Sequence, residues 1–237
     1  MYNSKKIMSH KHLVIGMGEI GSAIQSILNC DHYDLNKDSN SCNQESYEVI
    51  HICYPYSENF VKSTISYQSQ FSPKLTIIHS TVPVGTSQKL SAVHSPCRGI
   101  HPHLKEGILT FVKYFGGKEA GTAARFFSEY GIKTETTESS ANTEAMKLWD
   151  TTIYGWNILL EKIIHDYCQK HDRDFEFVYS QANKSYNEGY EALGYPQYKK
   201  YILRHMDGKI GGHCVMGNLD LLESEISDFI KDFNQRI

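Results

Sequence analysis

The 237-residue chain has no basic stripe, no bilayer-length apolar run and no C-x-x-C pair. Its 24 basic and 27 acidic residues are mixed along the chain and give a formal charge of -3. No segment therefore has the positive density needed to neutralise successive phosphates, which excludes nucleic acid as an expected partner. The start, MYNSKKIMSHKH, lacks the apolar core and small-residue cleavage site of a secretory signal. With no run long enough to span a bilayer, a cytoplasmic protein that is not membrane-bound is expected. Six cysteines, Cys30, Cys42, Cys53, Cys97, Cys168 and Cys214, are scattered through a chain large enough to build a core without covalent staples. Reduced thiols are expected. Neither an internal repeat nor a low-complexity tract occurs, and the length suits one large domain or two small ones.

What is present begins with HLVIGMGEIGSAIQSIL, residues 12–28. An apolar strand, a glycine turn and a helix with apolar positions at helical spacing supply the context that a G-x-G-x-x-G match requires. Gly16 permits the tight turn, Gly18 lets a pyrophosphate approach the backbone, and Gly21 allows close packing of helix on strand. The start of the helix, at Glu19 and Ile20, is the expected anion site. A second strand in HYDL places Asp34 eighteen residues after Gly16 (34 − 16), where a carboxylate accepts the ribose hydroxyls of NAD and repels the additional phosphate of NADP.

Further strands follow in the rhythm of an α/β sheet: EVIHICYP, KLTIIHSTVP, and two more ending at CRGIHPH and YFGG. The polar stretch from Leu35 to Tyr47 is too short for the usual crossover helix plus a strand, so an abbreviated adenine side of the cofactor pocket is expected. The predicted fold is a Rossmann-type, doubly wound and mainly parallel sheet over residues 1–138. A smaller helical domain over 139–237 is expected to follow it, serving substrate binding or dimerisation.

GMGEIG, IHICYP, HSTVPVGTS, EAMK and GGHC occur in the order seen in the UDP-glucose/GDP-mannose dehydrogenase family, which the chain resembles as far as the GGHC motif. Members of that family usually continue through a dimer-forming helical region into a second α/β domain for the substrate nucleotide. Here 23 residues follow Cys214 (237 − 214), so the resemblance is to a truncated form. It implies that Tyr54, Pro55 and Thr81 line the nicotinamide and ribose side of NAD, and that Cys214 is the nucleophile. In the implied chemistry hydride transfer oxidises a primary alcohol to an aldehyde, the thiolate captures it as a thiohemiacetal, and a second hydride leaves a thioester for water to cleave. Lys147 matches the lysine that stabilises the oxyanion, and Asn157 also matches a family position.

Three positions depart from the family pattern. Thr151 stands where an asparagine is common, and Asn218 replaces an aspartate that supports proton transfer, which an amide cannot do as a base. His103 occupies the place of the hydrolytic glutamate. An imidazole titrates near neutrality and is a candidate base. The GIHPH segment also resembles the His-Pro turn of prephenate dehydrogenases and related enzymes.

The residues themselves leave more than one reading open. Cys214 follows two glycines and precedes an amphipathic stretch, VMGNLDLLESEISDFIKDF, expected to be a helix whose dipole would favour a thiolate, with His213 adjacent. A small buried structural cysteine is the plainer account. Lys147 is alternatively a solvated helix lysine. Cys97, His101, His103, His213 and Cys214 match no zinc spacing, so no metal is expected. The remainder from Ala141 onward reads as helical, with Tyr179, Tyr186, Tyr190, Tyr195, Tyr198 and Tyr201 close together. These form either a half-exposed helical layer or, with Lys199, Lys200 and Arg204, a subunit interface or a lid over an anionic ligand.

The expected activity is NAD-dependent oxidation of an alcohol on a sugar or nucleotide-sugar-like small molecule by a homo-oligomer, with Cys214, Lys147 and His103 carrying the chemistry. The alternatives are a degenerate NAD-binding regulatory protein, a prephenate- or hydroxy-acid-dehydrogenase-like enzyme, and an S-adenosylmethionine-dependent methyltransferase, since that cofactor also uses a glycine turn and an acidic strand end.

Overall fold

The computed structural model describes residues 11–37, 40–100, 102–212 and 215–236. It divides into two compact units, Met1–Lys147 and Leu148–Ile237.

The first unit is built on seven strands: β1 (His12–Ile15), β2 (Asp31–Tyr33), β3 (Val49–Ile52), β4 (Leu75–Ile78), β5 (Val93–His94), β6 (Lys113–Gly116) and β7 (Thr134–Thr137). Their order is β2-β1-β3-β4-β5-β6-β7, and every pairing is parallel except β5 with β6. All four residues of β1, β3 and β4 are buried, because helices cover both faces of the sheet and leave no polar side to alternate with. On one face Val14, Val49, Ile77 and Phe115 pack with α1 (Glu19–Leu28) and α5 (Ala120–Ser128). On the other, Leu13, Ile15, Ile50 and Ile78 pack with Phe60 and Phe71 of α2 (Phe60–Phe71). This is the doubly wound α/β fold that the sequence predicts.

Between Asp34 and Tyr47 no helix or strand forms among the described residues. The chain returns from β2 to β3 held by side chains, with Tyr47 buried and its hydroxyl donating to Asp31 Oδ2 at 2.7 Å. β2 is consequently the sheet edge. The first unit is completed by α3 (Thr86–Lys89), α4 (Leu104–Thr110) and the start of α6 (Ser140–Lys170). β5 ends at His94, so Cys97–Ile100 and His103 lie in an irregular connection rather than on a strand.

In the second unit α6 continues to Lys170, followed by a π-helical turn (Glu176–Gln181), α7 (Ala182–Ala192), α8 (Met216–Leu219) and α9 (Glu225–Arg236). Two expectations are corrected here. Beyond the short 3-10 turn Pro196–Tyr198, no helix forms among the described residues before Met216, because side chains take the backbone groups that a helix would use. Asn187 bonds both the N–H and the carbonyl of Lys200, Tyr179 Oη accepts from Leu203 N, and Asn234 bonds both groups of Ile210. The expected continuous helix after residue 214 is also broken in two. Ser224 accepts from Ser227 N at 3.1 Å and restarts the chain as α9, an N-terminal cap of the ordinary kind.

Candidate functional site at the glycine turn

The candidate site lies at the carboxyl ends of β1, β3 and β4, where the strand order reverses direction between β1 and β3. Its first wall is the glycine turn. Gly16 has φ +92, and a Cβ there would lie 2.7 Å from Tyr54 N, so the turn after β1 lies directly against the residue after β3. Gly21 is tighter still: a Cβ would stand 1.8 Å from Gly16 O, which lets α1 start on top of the turn. Gly18 differs from both, since a Cβ there would meet nothing within 4 Å. Gly18 is the N-cap of α1 and gives it no side-chain cap, and the first-turn N–H groups of a helix, here from Glu19 to Gly21, have no intrahelical acceptor. The space beside Gly18 is the natural place for an anion.

Asp34 follows β2 and reaches this turn. Its Oδ2 accepts from Met17 N at 2.6 Å and its Oδ1 from Asn36 N at 2.9 Å. Burial pushes its carboxyl up, but the Asn36 and Met17 N–H groups and the Lys37 ammonium outweigh it and hold the group below the usual carboxylate range. Lys37 Nζ donates to the carbonyl of Met17 on the same turn. Asp34 is thus an ionised acceptor at the end of β2, adjacent to the glycines.

Tyr54 and Pro55 follow β3, and Thr81 follows β4. Ser80 Oγ donates to Tyr54 O at 2.6 Å, tying the two strand ends together, and Tyr54 Oη shares a 2.6 Å hydrogen bond with Thr64. Gly16, Gly18, Gly21, Asp34, Tyr54, Pro55 and Thr81 are therefore brought to one end of the sheet.

Sequence reasoning missed the buried carboxylate that caps the turn following Thr81. Glu144 on α6 is fully buried, and its two oxygens accept from Gly85 N at 2.6 Å and Ser87 N at 2.7 Å. The segments STVPVGTS and EAMK are thereby joined by a carboxylate cap on a turn whose Gly85 has φ +90. His94, also missed, lies behind Ser80. Its Nε2 faces Ser80 O at 3.2 Å and its Nδ1 faces Thr143 Oγ1 at 2.9 Å; a carbonyl only accepts, so Nε2 carries the proton. Burial, and then the Lys113 and Lys147 ammonium groups, push His94 down to about 3 against the opposing Ser80 carbonyl. A second buried row runs from His12 through His51 to His79 at 2.8 and 3.0 Å, ending on Ser95 O at 2.8 Å. The terminal carbonyl fixes the Nδ1–H tautomer of His79, and the same argument carries back along the row. Its sequence signal is the recurrence of a histidine in or beside three neighbouring buried strands, β1, β3 and β4.

Lys147 is half-buried on α6, near enough to depress His94. His103 is exposed at the N-cap of α4. In the second unit Asn218 Nδ2 lies 3.3 Å from Thr151 Oγ1, so two of the positions that depart from the family pattern touch each other. Val215 packs on α6, its Cγ1 2.8 Å from where a Cβ on Gly155 would be. Cys214 and His213, with His101, lie outside the described residues. The five described cysteines are unpaired. Among the described residues no three His, Cys, Asp or Glu side chains could hold a metal, and no helix is long and apolar enough to cross a membrane.

No family model and no curated protein sequence matches the chain. Solved structures do share its fold, which is that of sugar and hydroxy-acid dehydrogenases. The UDP-D-ManNAc dehydrogenase of Pyrococcus horikoshii superposes with a TM-score of 0.77 at 16% identity over 95% of this chain and 68% of its own. A UDP-glucose dehydrogenase from the archaeon Pyrobaculum islandicum gives 0.73 at 13%, over 100% of this chain and 70% of its own. The 3-hydroxyisobutyrate dehydrogenase of Mycobacterium tuberculosis, in a structure with L-serine, gives 0.69 at 12%, over 97% and 94%.

Proposed function

We propose that the chain is an NAD-dependent oxidoreductase that oxidises an alcohol on a sugar or nucleotide-sugar-like small molecule. The observation that carries this reading is the glycine turn: Gly16 and Gly21 are filled by their own backbone neighbours while Gly18 faces open space beside an ionised Asp34. Packing alone explains the first two glycines and gives no reason for the third. NAD supplies a hydride acceptor when bound. Gly18 and the first turn of α1 would take its pyrophosphate, Asp34 its adenosine ribose, and Tyr54, Pro55 and Thr81 its nicotinamide side. Asp34 favours NAD over NADP through charge repulsion. The assignment of Cys214 as nucleophile, Lys147 as oxyanion partner and His103 as base rests on the resemblance described above.

A second reading has its own support. Asn218 bonds Thr151 where the family pattern has a carboxylate and an asparagine, which favours an NAD-binding protein without turnover. Both readings include a homo-oligomer. Trp149, Ile153, Trp156, Leu160 and Tyr167 form an exposed apolar stripe at helical spacing along α6, wider than a solvated helix face needs. Chain mass in solution by light scattering tests it, and a monomer at micromolar concentration refutes it.

The deciding experiment measures NAD binding by calorimetry and NADH formation over a panel of nucleotide sugars, free sugars and hydroxy acids, with Cys214→Ser alongside. Two NADH per substrate, with acid formation lost in the variant, supports the thioester route. A single NADH and an unaffected variant refutes the nucleophile while leaving the dehydrogenase. Binding without turnover favours the second reading, and absence of NAD binding refutes both.

A further inference from the structure

A cavity of about 480 Å3 opens at the end of the sheet opposite the glycine turn. Its walls include Val93 at the start of β5, Gly117 just past β6 and Glu138 just past β7. β5 runs parallel to β4, while β6 and β7 run against it, so all three of these residues lie at the amino ends of the parallel strands. Gly16, Tyr54 and Thr81 follow the carboxyl ends. The cavity is thus separate from the dinucleotide crevice, and its volume is that of a small-molecule site.

The chemistry of the walls is specific. Lys118, Glu119 and Glu138 give one positive and two negative charges, a net of -1. Glu119 is partly engaged, accepting from Thr122 Oγ1 at 3.1 Å. Neither Lys118 nor Glu138 has an ion-pair partner among the described residues. Ser140 lines the cavity as the first residue of the 31-residue α6. It is only 6% exposed, and its hydroxyl makes no hydrogen bond among the described residues. The hydroxyl is not among the sealed, unpartnered atoms of the described core, which are Ser87 Oγ and Ser95 Oγ, so it is open to a ligand, and the first-turn N–H groups of a long helix attract a carboxylate. One wall therefore calls for an anion and the other for cations.

We propose that this cavity binds a basic α-amino acid. Its carboxylate meets Ser140, the first turn of α6 and Lys118, and its two cationic groups meet Glu138 and Glu119, so that a ligand of charge +1 neutralises a site of charge -1. Inorganic phosphate would face two carboxylates, and a diamine would leave Ser140 and Lys118 without an anion.

The test titrates the full chain by calorimetry with L-arginine, L-lysine, L-alanine, putrescine and inorganic phosphate. Saturable binding of arginine or lysine is expected, with alanine, putrescine and phosphate weaker by at least about tenfold. Lys118→Ala and Glu138→Gln, both at exposed positions, should each weaken binding of the basic amino acid by about tenfold while NAD binding is unchanged. Equal binding of alanine, putrescine or phosphate overturns the proposal. So does a lack of saturable heat with either basic amino acid, or indifference to both substitutions. Because NAD binding is read separately, failure here leaves the oxidoreductase reading intact.

Discussion

Replacing Glu144 with alanine should damage the protein more than any other single change on α6. The carboxylate is fully buried and accepts from two backbone N–H groups, those of Gly85 and Ser87, at 2.6 and 2.7 Å. Each is a hydrogen bond to a charged acceptor, contributing about 1.5–3 kcal/mol, and each stranded donor costs about 1–3 kcal/mol; these describe the same two bonds and are not summed. The loss for Glu144→Ala is then about 3–5 kcal/mol. Glu144→Gln keeps one acceptor oxygen and turns an amide NH2 toward the other donor, so it should lose about half as much. Urea unfolding measures both, and the expected order is wild type, Gln, Ala. Because Thr81 precedes Gly85 by only four residues (85 − 81) on the same connection, NAD affinity should fall in the same order. A loss below about 1 kcal/mol for the alanine variant, with NAD affinity unchanged, would refute the argument that this carboxylate builds the turn.

Gly18→Ala should leave stability within about 1 kcal/mol while lowering NAD affinity at least tenfold, since its Cβ meets open space at φ -71. Gly21→Ala, whose Cβ would stand 1.8 Å from Gly16 O, should instead unfold the turn and cost about 3 kcal/mol or more by the same urea measurement. Asp34→Ala should weaken NAD and narrow its advantage over NADP, measured as the ratio of the two dissociation constants. His94, pushed down to about 3, and His51 and His79, both held well below the ordinary value, are neutral in the folded state near neutral pH. The unfolded chain takes up these protons first, so stability is full above about pH 6.5 and falls below it by about 1.4 kcal/mol per pH unit per histidine, down to the folded values. Unfolding at pH 7, 6 and 5 checks the slope, and a flat profile would mean that the histidines are solvated.

The legible parts of the fold were those whose physics is local. The turn after β1 could be found because Gly16 needs a positive φ and Gly21 a missing Cβ, and both needs appear as residue identity. The missing crossover helix was legible from length, since Leu35–Tyr47 holds too few residues for a helix and a strand. The irregular segment after Tyr198 was not, because it is held by Asn187, Tyr179 and Asn234 from elsewhere in the chain, and nothing near it announces those partners. The break before α9 had a local signal in Ser224 that the surrounding amphipathic pattern concealed. Glu144 stands within the EAMK motif with no local sign of its task, since its acceptor role is set by residues 59 and 57 positions away.

Thr151 and Asn218 carry a further consequence. Each departure, taken alone along the sequence, removes one group from a catalytic pattern. In the structure they are one event, because Asn218 Nδ2 reaches Thr151 Oγ1 at 3.3 Å and Thr151 donates onward to Leu148 O. A carboxylate at 218 could only accept from that hydroxyl, whereas the amide can donate to it and leave the bond to Leu148 intact. The pair is therefore self-consistent as a neutral contact, and the two substitutions support each other energetically, in contrast to the unsatisfied groups that a decaying site would leave. That consistency separates two questions that the sequence had joined. The first unit gathers Gly16, Gly18, Gly21 and Asp34 at one end of the sheet, and the second unit holds a neutral bonded pair at 151 and 218. Under the proposed dehydrogenase function the candidate base is His103, at the place of the family's hydrolytic glutamate, and Asn218 enters as a neutral partner of Thr151.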